Sequence, residues 1–264
     1  MKAKRVNYKN WVPKGMIVSF GAVTAGFAAG AVGLLALGKG KKLAKLGAAA
    51  CGAGALGCGA MTGWCVMAYR AFSYDGKRKL SRQIVEGTAD YVTLPEGGLG
   101  LDVGCGSGAL TIACAKRNPR ARMLGCDRWG MEYASFSQKL CEDNAAIEGL
   151  SNVSFQNGDA TKLPFGDESF DCVTSNYVYH NIVGRNKQEL LLETLRTLKK
   201  GGTFAIHDLM GPLRYGSMKK FQKKLYEMGY ERVELIDTTR GKFMSRGEAL
   251  RLMLGGSTLL VGKK

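Results

Sequence analysis

The residues of this 264-residue chain best equipped for chemistry are those of Leu101-Asp-Val-Gly-Cys-Gly-Ser-Gly108. A predicted apolar strand over 99–103 carries Asp102 near its end, and Gly104, Gly106 and Gly108 then let the backbone come close to a bound group. A helix predicted over 109–117 points its free N–H groups at the same place. Such a loop builds a nucleotide-type pocket at the carboxyl end of the first strand of an open parallel sheet. Asp127 closes a second predicted strand (122–126) and Asp159 follows a third (153–156), which aims two more carboxylates at that crevice. The chain has two histidines: His180 follows the predicted fourth strand (170–175), and His207 ends the fifth (203–208). Both fall at the same sheet edge, where an imidazole of ordinary pKa about 6.5 suits proton transfer.

Two readings of the loop compete. Gly104, Gly106 and Ala109 satisfy the dinucleotide pattern G-x-G-x-x-G/A, and Asp127 stands where a ribose-binding acid belongs, as an NAD-linked oxidoreductase requires. Against this, Asp102 is an awkward charge beside a pyrophosphate but a good partner for a cationic amino group. Gly108 adds a third close approach, and Asp159-Ala160 with Leu163-Pro-Phe165 would have no role in such an enzyme.

The segments LDVGCGSG at 101–108, GCD at 125–127, NGDATKLPF at 157–165 and SFDCVTSNYVYHNI at 169–182 resemble the class I S-adenosylmethionine-dependent methyltransferases. The likeness is to the small-molecule group that includes the ubiquinone/menaquinone methyltransferases. It extends through the Leu198–Phe204 turn and spans roughly residues 80 to 210 in order. The resemblance implies a doubly wound, mostly parallel seven-stranded α/β sheet with S-adenosylmethionine as cofactor. Asp102 and the backbone of Gly104, Cys105, Gly106 and Gly108 would hold its methionine end. Asp127 would accept from both ribose hydroxyls, with Arg128 or Trp129 covering the adenine. Asp159 would accept from the adenine amino group, and the Ala160 N–H would donate to a ring nitrogen. Ser175, Asn176 and Tyr177 would line the floor near the sulfonium. His180 and His207 are the candidate proton acceptors, although a histidine at position 180 is common in a family of varied substrates. A non-catalytic membrane-bound cofactor sensor or assembly factor is the remaining alternative.

The first 75 residues differ in composition. Residues 16–38 and 46–69 are two uncharged runs, each longer than the about 20 residues that cross a bilayer core as a helix. They read as a transmembrane hairpin (1–75) ahead of a methyltransferase domain (76–264). Gly26 with Gly30, and Gly59 with Gly63, are G-x-x-x-G pairs that allow close helix contact in lipid. Lysines and arginines flank both outer ends, which favours a cytoplasmic catalytic domain in a two-span protein of the cell membrane. A second long span directly after the first argues against a cleaved signal peptide.

The net charge of +16 fits an anionic lipid surface, since much of the excess flanks the spans. The stretch Ser175-Asn-Tyr-Val178 lacks the N-P-P-Y signature of base N-methylation, which argues against a nucleic-acid partner. A small or lipid-like acceptor is expected instead. None of the eight cysteines forms C-x-x-C, so no metal site is expected, and Cys51, Cys58 and Cys65 read as small residues along one helix face. Further helices are predicted over 77–91, 131–147, 186–199 and 217–229. A closing hairpin is predicted over 232–238 and 257–262, with residues 240–256 between its strands as part of a lid. Lys219, Lys220, Lys223 and Lys224 fall on the solvated face of the fourth of those helices.

Overall fold

A computed structural model describes residues 5–130 and 135–264. The chain divides into two compact units. Asn10–Arg82 forms one; Gln83–Lys264 forms the other, joined by the N-terminal stretch up to Lys9. The division thus falls a few residues beyond the expected boundary, and the N-terminal stretch belongs with the catalytic unit.

In the first unit, α1 (Lys14–Leu37) and α2 (Lys42–Phe72) form an antiparallel hairpin. Small residues face larger ones along its seam. A Cβ on Gly30 would lie 3.5 Å from Cys51 Sγ, and one on Gly54 would lie 3.0 Å from the Phe27 ring. Gly59 meets Thr24 in the same way. The G-x-x-x-G expectation needs correcting, because Gly26 and Gly63 face open space and only Gly30 and Gly59 lie in the seam. Both helices are long and apolar enough to cross a membrane. No residue of α1 is buried, and Val18, Val23, Val32 and Leu35 are exposed.

The second unit begins within α3 (Leu80–Ala89) and is built on a seven-stranded sheet. Its strands are β1 (Leu99–Val103), β2 (Arg122–Asp127), β3 (Val153–Asn157), β4 (Phe170–Asn176), β5 (Leu198–Leu209), β6 (Arg232–Asp237) and β7 (Ser257–Lys263). The order is β3-β2-β1-β4-β5-β7-β6, with β7 antiparallel to both neighbours and the other pairs parallel. The order reverses between β1 and β4, which puts the crevice outside their carboxyl ends. Between the strands lie α4 (Ala109–Arg117), α5 (Gln138–Ile147), α6 (Lys187–Arg196), α7 (Pro212–Tyr215), α8 (Met218–Glu227) and α9 (Arg246–Arg251). The expected start of α5 at 131–134 lies outside the described residues.

Side-chain caps set several helix starts. Ser137, Asn186, Ser217 and Ser245 accept from backbone N–H groups of the first turns of α5, α6, α8 and α9. On α8, Met218, Phe221 and Leu225 are buried, and the four lysines face solvent. Alternation along β1 positions the site. Leu101 and Val103 enter a core shared with Leu191, Leu195, Phe221 and Leu225, so Asp102 points to the opposite face.

Candidate cofactor and proton-transfer site

The glycine loop takes the left-handed backbone its residues permit, with φ of 71° at Gly104, 56° at Gly106 and 80° at Gly108. Two of these positions are also closed by packing. A Cβ on Gly104 would lie 2.3 Å from Val178 Cγ2, and one on Gly108 would lie 3.0 Å from the Phe155 ring. Around Gly106 nothing stands within 4 Å. The crest of the loop is therefore an open cradle, with a carboxylate beside it. Asp127 Oδ2 accepts from the Gly106 N–H at 2.9 Å, and Oδ1 accepts from the Trp129 N–H at 2.7 Å. Each oxygen keeps a lone pair for a ligand hydroxyl. The indole N–H of Trp129 donates to the Gly106 carbonyl at 2.9 Å, folding that side chain onto the loop, while Arg128 is exposed.

Asp159 is brought next to Asp127 by the β2–β3 pairing, and the Gly158 N–H donates to the Asp127 carbonyl at 3.0 Å. The Thr161 N–H, 2.7 Å from Oδ1, and then the Thr161 hydroxyl hold the Asp159 carboxyl below the usual range, so it is an ionised acceptor. Ala160 follows it, partly buried against the core.

Several expected positions are placed differently. Asp102 is 1% exposed and lies beneath the loop, not at its open side. Thr111 Oγ1 donates to its Oδ2 at 2.7 Å and Thr174 Oγ1 donates to its Oδ1 at 2.9 Å. Burial pushes its carboxyl up to about 7, despite those two hydroxyls. Cys105 is likewise buried, its N–H donating to the Cys126 carbonyl at 3.2 Å. Ser175 does not line a floor: it is buried, and its hydroxyl donates to the Val103 carbonyl at 2.8 Å, tying β4 to β1. Tyr177 has φ 55° and leaves the extended path, so its ring packs 4.6 Å from His207 and its hydroxyl meets Ser257. The residue over Gly104 is Val178, an apolar side chain with no chemistry to mark it out beforehand.

The two histidines separate. His207 is 0% exposed; its Nδ1 lies 2.9 Å from Asn176 Oδ1 and its Nε2 lies 3.0 Å from Thr238 Oγ1. Burial pushes its pKa down to about 3, so it is a neutral, fully partnered ring. This removes it as the proton acceptor. It also occupies Asn176, which was expected at the floor. His180 instead has a side chain 17% exposed, with Nδ1 2.5 Å from Asp208 Oδ1. Asp208 is fully buried and accepts from the N–H groups of Tyr179 at 2.8 Å, His180 at 3.2 Å and Leu209 at 2.6 Å. Burial pushes the Asp208 carboxyl up, but the His180 ring and the Leu209 N–H outweigh it and hold the group below the usual range. An ionised carboxylate on Nδ1–H leaves Nε2 as the basic nitrogen.

Residues 240–256 contribute α9, and Phe243 and Met244 are buried. The Phe243 ring stands edge-on 5.3 Å from His207 and would clash with a Cβ on Gly87. A surface cleft of about 430 Å³ lies between Glu86, Asp90, Tyr91 and Lys242, apart from Asp127, Asp159 and His180.

A family profile described as "Methyltransferase domain" matches residues 101–206. Over that stretch the chain is similar to methyltransferase domains, and its relatives support the S-adenosylmethionine-dependent class. S-adenosylmethionine is its cofactor, and the cradle fits that group: an open glycine crest beside a carboxylate that can accept from hydroxyls, with a second ionised acid just beyond the next strand. The chain is 28% identical over 165 residues to the ubiquinone/menaquinone biosynthesis C-methyltransferase UbiE of Desulfotalea psychrophila, covering 62% of this chain and 60% of that protein. It is 27% identical over 168 residues to a demethylmenaquinone methyltransferase of Geobacillus stearothermophilus, covering 60% and 69% respectively. Against the first of these, the match spans less than two thirds of the relative's length. In fold, the chain is similar to the [4+2]-cyclase SpnF, with TM-score 0.53 and 20% identity over 73% of this chain and 84% of that one.

Proposed function

We propose that the protein transfers a methyl group from S-adenosylmethionine to a lipid-like, quinone-type acceptor, and that α1 and α2 anchor it in a membrane. The observation that carries the transfer reading is the Gly106–Asp127 cradle beside the ionised Asp159. The bound cofactor supplies a methyl carbon already activated by a positive sulfur. The protein's own task is alignment, exclusion of water and removal of a proton. His180 is the proton acceptor in this reading, through Nε2, and Asp208 fixes its ring and stabilises the imidazolium that forms. Asp127 and Asp159 orient the adenosyl moiety. Val178 fills the space above Gly104 and excludes water there.

The quinone-type acceptor is supported by the names of the relatives. The lipid-like character is supported by the exposed apolar surface of α1 and by the cationic residues at the outer ends of the spans. Those charges favour both ends on the cytoplasmic side. Incubating the protein and methyl-labelled cofactor with a membrane lipid extract tests the proposal. Label in an organic-soluble ring compound is expected. Label confined to water-soluble products would refute the lipid-like acceptor, and no transfer to any fraction would favour a non-catalytic cofactor sensor.

A further inference from the structure

The segment just ahead of the hairpin is docked on the loop that holds the cofactor. Asn144 of α5, 1% exposed, reads the backbone of Asn7 at two points: its Oδ1 accepts from the Asn7 N–H at 2.8 Å, and its Nδ2 donates to the Asn7 carbonyl at 3.1 Å. The same Nδ2 donates to the Ser107 carbonyl at 3.0 Å. The Ser107 hydroxyl in turn donates to the Tyr8 carbonyl at 2.8 Å. Tyr8 is buried, and its hydroxyl donates to Glu148 Oε1 at 2.9 Å, while Glu148 Oε2 pairs with Lys116 at the end of α4 at 2.7 Å. Strap, α5, loop and α4 thus close a ring around Ser107, the one residue between the left-handed Gly106 and Gly108.

A glycine-flanked crest loses more conformational entropy on ordering than other segments. Whatever orders it before the ligand arrives raises affinity by lowering that cost at binding. We propose that Asn7 and Tyr8 are positioning residues: their docking preorganises the Gly106–Gly108 crest, and cofactor binding and strap docking are thermodynamically linked. The inference rests on the cofactor reading above. The strap contacts named above run to Ser107, Asn144 and Glu148, so the strap acts through the loop and α5. The chain runs on from the strap into the hairpin unit at Asn10.

Linkage is reciprocal, which gives a test on the unaltered protein. In the full chain, saturation with S-adenosylhomocysteine is expected to slow amide exchange at Asn7 and Tyr8 by roughly tenfold, the scale of one or two net hydrogen bonds. Tyr8→Ala is expected to raise the S-adenosylhomocysteine Kd by roughly the same factor, with exchange protection of β5 and β7 unchanged. Strap exchange unmoved by the ligand, or a Tyr8→Ala Kd within about twofold of the parent, would overturn the proposal. If Tyr8→Ala does not fold, the exchange measurement on the parent decides alone. A parent chain that does not bind S-adenosylhomocysteine would overturn the cofactor reading itself, and the strap's role with it.

Discussion

Replacing Asp102 by asparagine should stabilise the protein at pH 8 and leave it nearly unchanged at pH 4. The carboxyl lies under the cofactor loop with no access to water, and burial raises it from 3.8 to about 7 even though Thr111 and Thr174 donate to it. The nearby Asp127 charge adds to the rise. A folded-state value above the unfolded one means that the folded protein binds the proton more tightly. Stability therefore falls as pH climbs from about 4 towards 7, and the full penalty is present above that. At about 1.4 kcal/mol for each tenfold step in proton affinity, the gap amounts to about 4 kcal/mol at most. Asparagine keeps the shape, accepts from one threonine hydroxyl and donates to the other. Urea unfolding of parent and variant in mild detergent should give a gain of about 2–4 kcal/mol at pH 8, shrinking below about 1 kcal/mol at pH 4. A variant no more stable than the parent at pH 8, or an equal difference at both values, would refute the reasoning. A cationic group bound above the loop should pull the Asp102 proton off, so ligand binding near pH 7 should also release protons, measurable by calorimetry in buffers of different ionisation enthalpy.

Three further outcomes are expected. His180→Asn should lower turnover by about 10²–10⁴-fold while leaving the S-adenosylhomocysteine Kd unchanged, and unaltered turnover in a labelled-methyl assay would remove it as the base. Gly106→Ala and Gly104→Ala should fail differently. The first puts a methyl into the open cradle and should abolish ligand binding at a stability cost of about 1–2 kcal/mol; the second drives a Cβ into Val178 and should cost more than about 3 kcal/mol in thermal unfolding. Val23→Asp, on the exposed surface of α1, should oppose insertion by about 2.5–3.5 kcal/mol and make the protein extractable from membranes by alkaline carbonate. Retention of the variant in the membrane pellet would count against the span.

Strand positions were legible in the sequence because short apolar runs recur at the spacing a parallel sheet requires. β1 begins and ends as expected, and α4 spans the predicted residues. The hairpin was legible from its two uncharged runs, but the seam was not. A G-x-x-x-G spacing identifies one face of a helix without saying which face meets the partner, and here Phe27 and Leu34 decide it by filling the spaces left by Gly54 and Gly47. The same limit applies to Asp102: alternation tells that it opposes Leu101 and Val103, but not that α4 covers it with Thr111. His207 and His180 look equivalent at neighbouring strand ends; the enclosure of His207 by Asn176, Thr238 and Ser257 distinguishes them. Tyr177 was expected at the pocket floor; its left-handed backbone instead turns Val178 over the loop. Asn7, Tyr8 and Asn144 left no sequence signal, since hydrogen bonds between residues 137 apart have no local pattern.

Titration of the full-length protein with S-adenosylhomocysteine, and in parallel with NAD, tests the cofactor site most directly. The parent should bind the first and not the second. Asp127→Ala should weaken that binding by about 1–3 kcal/mol, the scale for removing a buried hydrogen-bonding partner. Binding of NAD in preference, or an affinity for S-adenosylhomocysteine indifferent to Asp127, would contradict the account.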